Sequence, residues 1–272
     1  MATMIALRTR MIMVSALVPA AALLLTGCGG APERGASADT SAGPSAGTSA
    51  KAAAGTSAVP EATTFTTVEG APADTGRGAT DGLVVHPAKP LPVLDRPGGN
   101  RVATLPTEQL GGPTWVPVVE SSGGWRRVLL PSRPNRASGW ISGDGLRTAR
   151  SPYLVTVDLG DRRLTLHESG KAVGRWKVAI GEAATPTPTG RTFVMAQLAP
   201  EKKKPSPLVL PLGAHSDTLD TFGGGPGTVA LHGWTDASVF GRAATHGCVR
   251  VPDGALRKLS RVPLGTLVLI ND

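Results

Sequence analysis

One of the chain's two cysteines, Cys248, sits in the run Thr245-His246-Gly247-Cys248-Val249-Arg250, and His232 lies sixteen positions earlier in Val229-Ala230-Leu231-His232-Gly233. A thiol attacks only as the thiolate, and at an ordinary pKa of about 8.5 only a few per cent is ionised near neutrality. A neighbouring imidazole removes that obstacle by taking the proton and holding the anion as an ion pair. Glycines at 233 and 247 let backbone approach the centre, and the amides around Gly247 and Cys248 are placed to donate to an oxyanion. These residue types point to acyl transfer through a thioester. Zinc is the competing use of His and Cys, but three residues cluster here with no pairs at finger spacing, so no metal and no other cofactor is expected. A papain-type protease would place its cysteine first in the chain, which this sequence does not.

The other cysteine has a different fate. Arg8 and Arg10 precede an apolar stretch from Met11 to Leu25, which ends in Leu25-Thr26-Gly27-Cys28. Fifteen residues span about 22 Å as a helix, short of the roughly 30 Å hydrocarbon core, so residues 1–28 read as a signal peptide. The Leu-Thr-Gly-Cys ending resembles a bacterial lipobox, which implies lipidation of Cys28 and an anchor on the outer face of the cytoplasmic membrane. Cys248 is then left without a disulfide partner in an exported protein, where an idle thiol invites oxidation.

The elements that must carry this chemistry follow a tether. Residues 29–80 are dominated by Ala, Ser, Gly, Thr and Pro and read as disordered, with an r.m.s. span of about 40 Å. The net charge of +8 concentrates beyond it, in residues 81–272, since 29–80 is net acidic and the leader holds only two arginines. A basic folded part fits an anionic partner, and the export signal excludes nucleic acid. With 35 glycines and 24 prolines the chain favours short strands and turns, so the expected class is mainly β.

Two segments divide that β-rich part. In residues 81–150, short apolar runs such as Leu83-Val84-Val85, Val116-Pro117-Val118-Val119 and Gly139-Trp140-Ile141 are separated by turn clusters every eight to twelve residues. The Gly123-Gly124-Trp125 turn and Pro131-Ser132-Arg133-Pro134-Asn135 resemble a bacterial SH3-like domain, which implies a small barrel that binds or spaces along the wall. In 151–272, Tyr153–Asp158 and Arg163–His167 alternate as a hairpin, with further strands at Gly174–Ile180, Thr192–Met195 and Thr266–Ile270. One short helix is expected over Pro252–Leu259.

The ordered set His232-Gly233, a gap in the mid-teens, then Thr245-His246-Gly247-Cys248-Val249-Arg250 resembles the YkuD-type L,D-transpeptidases. Pro186-Thr187-Pro188-Thr189-Gly190 and Val262-Pro263-Leu264-Gly265-Thr266 extend the resemblance over roughly 152–272. It implies a β-rich catalytic domain that forms 3→3 cross-links between peptidoglycan stem peptides, with Cys248 as nucleophile. His232 would be the base, its ring oriented by a carbonyl near Gly233, while His246 and the amides of Gly247 and Cys248 would shape the oxyanion hole. Thr245 and Arg250 would face substrate, Arg250 holding a carboxylate, and carbapenem-type acylation of Cys248 would follow. Trp234 stands where a small hydroxyl residue is common, and Lys202-Lys203-Lys204 falls in an insert that tends to form a lid. An L,D-carboxypeptidase, a wall-to-protein coupling enzyme and a non-catalytic wall-binding lipoprotein stay open as alternatives.

Overall fold

The computed structural model describes residues 59–201 and 205–272, which belong to one compact unit. Cys28, the lipobox and Lys202-Lys203-Lys204 lie outside the described residues. Among those described, no helix is long and apolar enough to cross a membrane.

The first half is antiparallel β-structure. It comprises β1 (Leu83–Pro87), β2 (Leu91–Leu94), β3 (Arg101–Leu105), β4 (Glu108–Gln109), β5 (Gly112–Pro113), β6 (Val116–Ser122), β7 (Trp125–Leu129), β8 (Ser138–Ser142) and β9 (Leu146–Arg150). Seven of these form one sheet in the order β3-β2-β8-β7-β6-β1-β9, with β4 and β5 paired separately. The apolar runs of the sequence are these strands. Each alternates its side chains, so that Val85, Val93, Ala103, Leu105, Val116, Val128 and Ile141 all reach one core.

The second half contains β10 (Tyr153–Asp158), β11 (Arg163–Glu168), β12 (Lys171–Lys177), β13 (Ile180–Gly181), β14 (Gly190–Phe193), β15 (Val209–His215), β16 (Thr228–Gly233), β17 (Ala243–Thr245), β18 (Val249–Val251), α1 (Asp253–Leu259) and β19 (Leu267–Asn271). The expected hairpin is β10–β11, paired from Tyr153 opposite Glu168 to Asp158 opposite Arg163. A five-stranded sheet runs β12-β11-β10-β19-β14, and a three-stranded sheet runs β15-β16-β18. Helix α1 begins one residue inside its expected span and turns Ala255, Leu256 and Leu259 onto the core of the second half.

Two expectations change. The boundary at 150/151 does not separate the cores. In β19, Val268 and Ile270 pack with Val155, Val157, Leu164 and Leu231, whereas Leu267 and Leu269 pack with Val85, Leu105 and Ile141 of the first half, joined there by Phe193 and Met195. A strand buried on both faces must be apolar throughout, which is why Leu267-Val268-Leu269-Ile270 has no polar alternation.

Nor does the tether extend to residue 80. Residues 59–80 lie along the first half, bridging Glu61 to Thr104, Thr67 to Arg133 and Ala73 to Ala137, and they bury Ala62 and Val68. Composition misses this because the holding groups are long-range. The Asp74 carboxylate, fully buried, takes both Arg191 Nε (2.6 Å) and Arg191 Nη2, with Arg127 Nη2 at 3.5 Å. Removing one partner of a buried pair strands the other charge, so Asp74→Ala should cost about 3–5 kcal/mol. Urea unfolding of the two chains checks this, and an unchanged midpoint would remove Asp74 as the clasp of the segment.

Candidate functional site

β16 and β18 run parallel with Leu231 opposite Val249 and His232 opposite Arg250. The period of two sends Val229, Leu231, Val249 and Val251 into the core and leaves the intervening residues on the opposite face. His232 and Arg250 are therefore neighbours on one face, and Cys248, one step before β18, belongs to it as well. The half-buried thiol meets the backbone of Ala230 and the charge of Arg250. The strand pairing thus places the cysteine on the same face as the histidine that the sequence separates from it by sixteen positions.

The imidazole of His232 is oriented by backbone. Its Nδ1 donates to the Gly233 carbonyl at 2.9 Å, which leaves Nε2 as the lone-pair nitrogen. Gly233 is itself fixed, because its amide donates to Ser206 Oγ at 2.7 Å and Ser206 Oγ donates to the Leu208 carbonyl at 2.5 Å. Ser206 was not legible as a site residue. It touches neither histidine nor cysteine, and no motif marks it.

Burial sets the protonation states. It pushes the Cys248 thiol up, against the opposing effects of the Ala230 backbone and the Arg250 charge. It pulls His232 down, assisted by Arg250 and opposed by the Gly233 bond. Both shifts favour the neutral forms, because burial removes the water that would hydrate either charge.

Arg250 is held tightly. Its guanidinium carbon lies 3.6 Å from the Trp234 ring centroid, and Nη1 donates to the Ala244 carbonyl at 3.0 Å. Its buried Nε has no hydrogen-bond partner among the described residues. Trp234 also meets His232 edge-on, with centroids 6.0 Å apart, so the large residue that departs from the motif forms a wall of the site. Beyond Trp234 opens a cavity of about 830 Å³, lined by Pro207, Phe240, Leu256 and Arg257 among others.

The loop that presents Cys248 is held by threonines. Thr245 is buried, its hydroxyl donating to the Cys248 carbonyl at 2.6 Å and accepting from the Gly247 amide at 3.2 Å. Expected to face substrate, it closes the turn instead. The Gly247 amide is therefore engaged, as is that of Gly233, and neither is free as an oxyanion donor; the Cys248 amide is the candidate that remains. Gly247 has φ +109°, a conformation that glycine adopts without strain. His246 is exposed and stands against Phe222, with centroids 5.4 Å apart.

Residues of the Pro186-Thr187-Pro188-Thr189-Gly190 region clamp this loop from outside. Thr187 Oγ1 donates to the Gly247 carbonyl and accepts from the Gly181 amide, both at 2.9 Å. Thr185 Oγ1 donates to the Thr245 carbonyl at 3.1 Å, and the Glu182 amide donates to the same oxygen at 2.9 Å. The motif was visible in the sequence, but its task was not. Among the described residues no group of three or more His, Cys, Asp or Glu stands together in a way that could hold a metal.

Comparison with known proteins gives consistent relatives. The family described as the L,D-transpeptidase catalytic domain (YkuD) matches residues 152–270. The L,D-transpeptidase-named YkuD of Bacillus licheniformis is 30% identical over 154 residues, which cover 54% of this chain and 86% of that protein. Its Bacillus subtilis counterpart is 29% identical over 151 residues, covering 53% and 85%. An L,D-transpeptidase structure from Mycobacterium smegmatis aligns over 58% of this chain and 99% of its own at 13% identity and a TM-score of 0.37. L,D-transpeptidase 3 from Mycobacterium tuberculosis, solved with a faropenem-derived adduct, aligns over 52% and 75% at 13% identity and 0.39.

Replacing Thr187 by Val removes a hydroxyl that serves two buried backbone groups. The expected loss is about 1–3 kcal/mol of stability, together with slower acylation of Cys248 as its loop loosens. Thermal unfolding and the rate of thiol labelling check both; wild-type values in both would show that the clamp does not position the loop.

Proposed function

This chain belongs to the L,D-transpeptidase family, and on that premise we propose that it forms 3→3 cross-links in peptidoglycan through a thioester on Cys248. The observation that carries this reading is the shared face of β16 and β18, with a thiol and an imidazole whose free nitrogen is Nε2. Cys248 Sγ attacks the carbonyl that precedes the terminal D-Ala of a tetrapeptide stem. His232 Nε2 takes the thiol proton as the sulfur–carbon bond forms, and then gives it to the departing D-Ala amine as the peptide bond breaks. The side-chain amine of a second stem next attacks the thioester. It loses a proton to His232, and the cross-link forms as the thiolate leaves and is reprotonated.

His232 acts as a general base during attack, since burial favours the neutral form of both the imidazole and the thiol. The Cys248 amide donates to the oxyanion, and Arg250, fixed by Trp234 and Ala244, holds a stem carboxylate near the reacting carbonyl. His246 lines the same mouth from the exposed side of the loop. Carbapenems react by the same route: the thiol opens the lactam and remains acylated. Around this centre we read the first half as an SH3-like module along the wall, and Cys28 as the lipid-bearing residue that holds the enzyme outside the cytoplasmic membrane. The lipobox sequence and the basic character of residues 81–272 support that placement.

The pH dependence follows from the directions of the shifts. With His232 pulled down, the base stays unprotonated below the ordinary histidine value of about 6.5, so the acid limb of carbapenem acylation should fall below that pH. With Cys248 pushed up, alkylation by iodoacetamide should keep rising above the ordinary thiol range, with no plateau near neutrality. His232→Gln should slow acylation by about 10²–10⁴-fold. Mass spectrometry of the carbapenem adduct against time reads all three chains, with Cys248→Ala as the blank. An unchanged acylation profile in His232→Gln would rule His232 out as the base.

A further inference from the structure

The loop 216–227 connects β15 to β16 and carries Phe222 to the nucleophile loop, yet its anchors come from the first half of the chain. Arg133 Nη1 donates to the Ser216 carbonyl at 3.1 Å, while Nη2 donates to the Leu219 carbonyl at 3.2 Å and the Pro226 carbonyl at 3.1 Å. One guanidinium thus satisfies three carbonyls spread over the whole loop. Gly227 makes room for it: φ is +71°, and a Cβ there would lie 2.2 Å from the Leu219 carbonyl oxygen and 3.1 Å from Arg133 Nη2.

Asn135, two residues on, pairs with the base of the same loop. Its Nδ2 donates to the His215 carbonyl at 2.7 Å and its Oδ1 accepts from the His215 amide at 2.8 Å. Nδ2 also lies 2.7 Å from Asp217 Oδ1. The buried His215 ring is fixed in turn by the 59–80 segment, its Nε2 lying 2.8 Å from the Thr64 carbonyl. The Arg133-Pro134-Asn135 run that resembles an SH3-like feature therefore grips the catalytic half.

What this grip presents is an aromatic platform. Phe222 and Gly225 exchange backbone hydrogen bonds at 3.0 Å, closing a tight turn that leaves the Phe222 ring 48% exposed and tilted against His246, two residues before Cys248. The exposed phenyl face beside the Cys248 loop is one that the aliphatic part of a stem peptide reaching Cys248 would cover.

We propose that Arg133 is a positioning residue for substrate: it holds the 216–227 loop so that Phe222 forms one wall of the stem-binding mouth. The first half of the chain is in this sense part of the active site and not only a spacer. The inference rests on the transpeptidase reading above for the identity of the ligand.

The test uses the purified full chain with tetrapeptide stem as donor, comparing Arg133→Ala, Arg133→Lys, Phe222→Ala and the Arg133→Ala/Phe222→Ala double variant. Arg133→Ala should raise KM about tenfold with kcat within about twofold, because a positioning contact acts on binding and not on chemistry. Phe222→Ala should do the same, the double variant should be no worse than either, and Arg133→Lys should recover part of the loss. Iodoacetamide labelling of Cys248 should match wild type in all four. Amides of 216–227 should exchange hydrogen faster in Arg133→Ala, a readout that holds even if the wild-type chain turns over no stem, an outcome that would overturn the reaction and not the grip. Wild-type KM in Arg133→Ala, additive effects in the double variant, or unchanged exchange would each overturn the proposal.

Discussion

The parallel pairing of β16 with β18 is the constraint on which the rest of the molecule depends. Its inner face supplies Val229, Leu231, Val249 and Val251 to the core, and its outer face supplies His232, Arg250 and, one step earlier, Cys248. A register slip of one residue would bury the imidazole and guanidinium and expose the valines. Core packing therefore enforces the geometry of the reacting groups. Truncating Leu231 would cost about 2–5 kcal/mol and act on the site through that register.

Around this pair, orientation passes through backbone more than through side chains. His232 is aimed by the carbonyl of its own neighbour Gly233, which Ser206 holds, and Cys248 is presented by a turn closed by Thr245 and clamped by Thr185 and Thr187. Among the described residues, no carboxylate orients the imidazole by hydrogen bond. The imidazole therefore has little anionic support, and burial pulls its pKa down further. Arg250, close to both groups, favours the thiolate over the thiol and the neutral imidazole over the imidazolium.

Much of this was legible in the sequence. The β10–β11 hairpin, most of the other strands and helix α1 follow from alternation and residue chemistry. What escaped had a common cause. Ser206, the packing of residues 59–80 and the grip of Arg133 on the 216–227 loop are contacts between segments far apart in the chain, and neither composition nor local period encodes them. β15 was hidden because Pro211 interrupts it; the register shift between Pro211 and His215 accommodates that proline. Thr245 misled for the opposite reason: its place in the motif drew attention, but its hydroxyl is spent on closing the turn.

The central claim is a thioester on Cys248, and trypsin isolates that residue in a short peptide, since cleavage after Arg242 and Arg250 yields Ala243–Arg250. The direct measurement is mass spectrometry of that peptide after acid quenching of the enzyme with a tetrapeptide stem. The account predicts that Ala243–Arg250 gains the mass of the tripeptide acyl group as D-Ala is released, and that neither occurs in Cys248→Ala. Release of D-Ala by Cys248→Ala, or an acyl group found on any other peptide, would contradict it.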